Sequence, residues 1–121
     1  MTHEELRNFP IYRDACLSSQ AMCREVVNHI ETHYGIQPTG AAQGHLQWHP
    51  NFARIQTLGK KLPILTINLS GPETGYGDLC IDHLFRPPWR GMTRLRLDGM
   101  TAIQLLVAAI DRSYQIRSRR E

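Results

Sequence analysis

The chain has 121 residues, 41% of them hydrophobic and 21% charged, with a formal net charge of +3 and a pI near 9.0. This balance excludes a disordered chain and predicts one globular domain spanning 1–121. The longest apolar run, Leu105-Leu106-Val107-Ala108-Ala109-Ile110, is far short of the ~20 residues a bilayer requires, and the opening MTHEELRNF lacks the apolar core of a secretory signal. A cytoplasmic protein with no membrane attachment is expected.

Thr2-His3-Glu4-Glu5 fits a capping box, in which the Thr hydroxyl and the Glu carboxylate satisfy the first free amides of a helix. The short helix it opens is interrupted or restarted at Pro10. From Ile11 to Tyr34, apolar Cys16, Cys23, Val27, Ile30 and Tyr34 recur at helical spacing, and Met22 and Val26 widen the stripe. Gly35 supplies the stop, since glycine tolerates the left-handed cap. Residues 35–51, rich in Gly, Pro, Ala and Gln, read as a connection with a short strand around Leu46 to Trp48.

Ala53 to Leu58 and Leu62 to Ser70 flank a Gly59-Lys60-Lys61 turn and predict a hairpin. Gly71-Pro72-Glu73-Thr74-Gly75 is a turn by composition. Asp78 to Phe85 alternates, which predicts a third strand with Asp78, Cys80 and Asp82 on one face. After the break Arg86-Pro87-Pro88-Trp89-Arg90-Gly91, Thr93 to Leu97 is a fourth strand with Leu95 and Leu97 facing inward. Thr101-Ala102-Ile103-Gln104 matches a second capping box, with Met100 and Leu105 as its hydrophobic staple. The last helix carries Ile103, Leu106, Val107, Ile110 and Tyr114 on one stripe, and its terminal Arg117, Arg119 and Arg120 complement the macrodipole. The expected fold is α+β: an N-terminal helix, a roughly four-stranded antiparallel meander and a C-terminal helix, with both helices on one sheet face.

Four histidines crowd residues 29–49. His29 and His33 are four apart and share a helix face, but Glu31 between them points roughly the opposite way and cannot act as base for a metal held by the pair. His45 and His49, if extended, stand ~13 Å apart, too far for joint ligation. A metal-dependent enzyme therefore needs His29, His33 and His45 to converge by tertiary folding. The favoured reading is a helix end whose histidines flank the buried stripe and cover the returning loop, with no metal and no cofactor. Cys16, Cys23 and Cys80 read as buried free thiols; Cys16 and Cys23 sit ~10 Å apart on one helix face, beyond disulfide reach. Cys80 and His83 diverge on an extended strand, which leaves the thiol without a base. No G-x-S-x-G elbow or phosphate-loop spacing occurs, so no catalytic residue is assigned.

What remains is recognition. Arginine supplies all but Lys60 and Lys61 of the 14 basic side chains, and arginine is the better fork for carboxylate, phosphate and interface contacts. The helix-free sheet face is expected to carry Ile64, Thr66, Asn68, Asp78, Cys80, Asp82, Arg94 and Arg96. Asp78 and Asp82 then neutralise Arg94 and Arg96 across paired strands, and the stiff loop bearing Arg86, Trp89 and Arg90 lies alongside. The alternative for Trp89 is a plug at the core edge. The leading expectation is a non-enzymatic binding or regulatory protein acting by protein–protein contact through Arg86, Trp89, Arg90, Arg94, Arg96, Asp78 and Asp82. An accessory subunit, an immunity factor or an inhibitor of a macromolecular machine such as a defence system fits that description. The alternative is a nucleic-acid-binding regulator using Arg90, Arg94, Arg96, Arg117, Arg119 and Arg120. An uncovered edge strand leaves self-association as a homo-oligomer open.

Overall fold

The computed structural model describes residues 1–40, 44–57, 63–81 and 91–120, with the side chain of Arg120 left aside. The capping box opens helix α1 (His3–Leu6): the Glu5 amide donates to Thr2 Oγ1, and the Thr2 amide donates to Glu5 Oε1. Pro10 restarts the chain as α2 (Pro10–Arg13), where its fixed φ suits a first helical position. Helix α3 (Leu17–Tyr34) buries Cys23, Val26, Val27 and Ile30 along one stripe and ends at Gly35, whose φ of 66° is the left-handed cap that its missing Cβ permits.

Among the described residues five short strands follow: β1 (Thr39–Gly40), β2 (Leu46–Gln47), β3 (Ala53–Thr57), β4 (Leu65–Leu69) and β5 (Thr93–Leu97). They form one antiparallel sheet in chain order, so the meander is as expected with one more strand. Helix α4 (Ile103–Arg120) closes the fold. Strand periodicity sorts the side chains. Leu46, Ile55, Ile67 and Leu95 stand opposite one another across four strands, each fully buried in one core with α3 and with Leu106, Ala109 and Ile110 of α4. Burying each such aliphatic side chain contributes about 1.5–3 kcal/mol. Both long helices cover this face. Among the described residues, no helix is long and apolar enough to cross a membrane.

Two sequence expectations fail. Residues 78–81 are not strand: Asp78 and Leu79 end a 3-10 helix (Glu73–Leu79), and β5 pairs directly with β4; 82–85 lie outside the described residues. Gly75 and Gly77 weaken an extended state, and Arg112 of α4 captures the segment through the Gly75 carbonyl and the Asp78 carboxylate. The second capping box is also not made. Thr101 Oγ1 is buried without a partner, Met100 is half exposed, and Ala102 instead lends its carbonyl to the amides of Leu105 and Leu106. The helix starts one residue later than the box requires, at Ile103, which places Ala102 and not Thr101 at its cap.

Buried polar side chains join the layers. Ser19 Oγ accepts from the Leu65 amide at 3.0 Å, and Gln20 Nε2 donates to the carbonyls of Tyr12 and Arg13. The buried Tyr12 hydroxyl contacts His3 Nδ1 and accepts from Arg24 Nη1 at 2.8 Å, which ties α1 and α2 to α3. Ser113 of α4 accepts from the Ser70 amide at 2.8 Å and donates to the Phe52 carbonyl, so one hydroxyl fixes α4 to the ends of β3 and β4. Ser113→Ala strands a buried amide and a buried carbonyl and is expected to destabilise the protein by about 1–3 kcal/mol, read as a lower urea midpoint at unchanged slope.

Candidate functional site

The face of the sheet turned away from the helices is polar throughout its described positions. Its central row runs Gln47, Arg54, Asn68, Arg94, residue opposite residue across β2, β3, β4 and β5. A second row runs Gln56, Thr66, Arg96. Neighbouring strands lie ~4.8 Å apart, which sets the Cα atoms of Arg54 and Arg94 ~10 Å apart with Asn68 between them. Arg54 Nη2 donates to Gln47 Oε1 at 3.3 Å, and Arg94 Nε donates to Thr66 Oγ1 at 3.2 Å. Arg96 is neutralised locally: its Nε and Nη2 reach Asp98 Oδ2 at 2.8 and 2.6 Å.

Asn68 is different. It is 1% exposed, and both its carboxamide oxygen and nitrogen are buried without a hydrogen-bond partner, as is Arg54 Nε beside it. Each such orphaned group costs about 1–3 kcal/mol, in a row where the neighbouring Thr66 hydroxyl is satisfied by Gln56 and Arg94. Burial also pushes the Arg94 guanidinium below its ordinary pKa, a direction that marks a partly desolvated cation.

The expected pairing of Asp78 with the sheet arginines does not occur. Asp78 lies on the helix side, where Arg112 grips it with two parallel bonds of 2.7 Å and holds its carboxyl below the usual carboxylate range. Cys80, expected on the same face, follows the 3-10 helix in a left-handed conformation and is exposed. Arg94 and Arg96 are on the helix-free face as anticipated. Arg117 and Arg119 belong to the last turns of α4, whereas Arg94 and Arg96 belong to β5. Asp82, Arg86, Trp89 and Arg90, like His83, lie outside the described residues. Arg54 and Gln47 were missed, although alternation with Ala53 and Ile55 assigns Arg54 to this face.

The histidines take separate places. His29 Nε2 donates to Asp111 Oδ1 of α4 at 2.8 Å, and Tyr34 donates to the same oxygen at 2.6 Å. Burial and this carboxylate raise the Tyr34 pKa. His33 stacks 4.2 Å from His29 between ring centroids and donates from Nδ1 to the His29 carbonyl. Tyr34 in turn stacks on Tyr114 at 4.0 Å. The cluster clamps α3 to α4 at the helix end, in line with a flanking role for the pair. His45 is across the sheet, next to Arg54, so the three do not meet. Among the described residues, no three His, Cys, Asp or Glu side chains group to hold a metal. Of the thiols only Cys23 is fully buried, its pKa pushed up to about 12, while Cys16 is half-buried and held below its ordinary value by Ser18 and Ser19.

Comparison with protein-family models, with curated proteins and with solved structures finds no match.

Burial, and then the Arg54 cation, hold the His45 imidazole below its ordinary pKa of 6.5. The folded chain thus takes up this proton less readily than the unfolded chain, and stability falls as pH drops from 6.5 towards the folded-state value. His45→Gln should flatten that part of the acid profile, seen as a smaller difference between urea midpoints at about pH 7.5 and about pH 5.5.

Proposed function

We propose that this chain is a non-enzymatic binding module that docks the helix-free face of its sheet onto an acidic protein surface. The observation that supports it is the row Gln47, Arg54, Asn68, Arg94, in which two guanidinium groups flank a buried carboxamide on a face that no described helix covers. Arginine matches carboxylate geometry with two donors, and Asp78, the acid expected on this face, is engaged by Arg112 on the helix side. A cytoplasmic accessory, inhibitory or immunity-type role accords with a recognition surface that carries no assigned catalytic group.

The nucleic-acid reading has one observation in its favour, the same two arginines in one row. Against it, no described residue of this face is aromatic, so bases find no stacking platform there. Three paired strands with their side chains are also wider than the ~12 Å major groove, which admits a two-stranded ribbon. Labelled poly-L-glutamate and an oligonucleotide of about 20 nucleotides separate the two readings at matched salt. The wild type should bind the polypeptide more tightly, and the paired change Arg54→Ala with Arg94→Ala should weaken that binding at least about tenfold while leaving the unfolding midpoint nearly unchanged. Tighter binding to the oligonucleotide, or indifference to both substitutions, rejects the proposal.

A further inference from the structure

The register of the sheet sets one imidazole beside Arg54. Leu46 is fully buried in the core, so its neighbours His45 and Gln47 turn to the opposite face. Gln47 stands directly across from Arg54, which makes His45 the diagonal neighbour of Arg54 at ~7–8 Å, a span that long side chains cover. Arg54 Nη2 donates to Gln47 Oε1 at 3.3 Å, so the guanidinium reaches over β2, the strand that His45 leads into. His45 itself is half-buried, with part of its ring open to solvent.

The groups that face this ring are few. β1 offers Thr39 and Gly40, and β2 offers Gln47. β3 offers Arg54 and, with the register extended by one residue, Gln56. Arg96 lies two strands further along the row of Gln56 and is neutralised by Asp98. Among the described residues, Arg54 is the charged group that acts on His45. Burial, and then that cation, resist protonation of the imidazole in the free protein.

An acidic partner reverses the second of these effects. A carboxylate that pairs with Arg54 cancels the cation's field at His45 and sets an anion close to the imidazole. Proton and partner then favour each other, because linkage makes the factor by which one tightens the other the same in both directions.

We infer that docking of an acidic surface at Arg54 is coupled to uptake of a proton by His45, so that acidification tightens the complex. This rests on the helix-free face being the docking surface, and it adds a pH sensor to that face. The sign is opposite to the effect on the free protein, where protonating His45 costs stability.

Poly-L-aspartate tests it, because its carboxylates, with an ordinary pKa of about 3.9, stay ionised over the range that matters. Fluorescence anisotropy at matched salt should show the wild type binding at least about twofold more tightly at about pH 5.5 than at about pH 7.5. His45→Gln should bind equally at both. In the wild type, the ring Cε1–H resonance of His45 should titrate at least about 0.5 pH unit higher with the polymer bound than without it. A resonance whose midpoint the polymer leaves in place, or a pH dependence of binding that survives His45→Gln, overturns the proton linkage and leaves the docking face standing. Absence of binding at both pH values removes the docking face, and the linkage with it. Should His45→Gln fail to fold by circular dichroism, the wild-type resonance still decides, since it reports on His45 directly.

Discussion

Strand register is the constraint on which the rest of the molecule depends. β4 is paired on both sides, and all five of its residues are buried. Its odd positions carry Leu65, Ile67 and Leu69 against the helices, so Thr66 and Asn68 necessarily face the other way. A slip of one residue in a neighbouring strand would drive Arg54 or Arg94 under α3 and α4 and expose the isoleucine and leucine that complete the inner row. Burying an unpaired guanidinium costs several kcal/mol, more than any gain from a new pairing. The apolar demand of the helices thereby decides where the arginines stand, and the candidate surface is a consequence of the core.

The helices hold that register through polar contacts at their edges. Ser19 and Ser113 each spend a hydroxyl on a strand-end amide, of Leu65 and Ser70. His29 and Tyr34 meet Asp111 where α3 and α4 come together. Arg112 works on the adjacent side of α4, drawing the 3-10 helix down by the Gly75 carbonyl and Asp78. This last contact reaches beyond packing. By engaging Asp78 on the helix side, it keeps that acid away from the sheet face.

Periodicity made much of this legible. The α3 stripe, the Gly35 cap, the Thr2–Glu5 box and the alternation of β4 and β5 are local signals, and local hydrogen bonding or steric preference enforces each one. The failures share a different cause. Asp78 to Ile81 alternates like a strand, but Arg112, more than thirty residues later, offers it a better partner. Thr101 has the right neighbours for a cap and is instead buried. The partner of His29 lies 82 positions away and depends on how α3 meets α4. Arg54 was within reach, since its parity in β3 is plain, but its importance comes from standing opposite Asn68. Cross-strand position depends on which residues pair across the hairpin, and strand parity alone does not give that register.

The orphaned carboxamide also bears on stability. A buried donor and acceptor without partners burden the folded state alone, because water satisfies both in the unfolded chain. Replacing Asn68 by an apolar residue of similar size removes that burden. A sheet selected for stability alone would therefore carry a leucine or a valine at this position, as β4 does at Leu65 and Leu69.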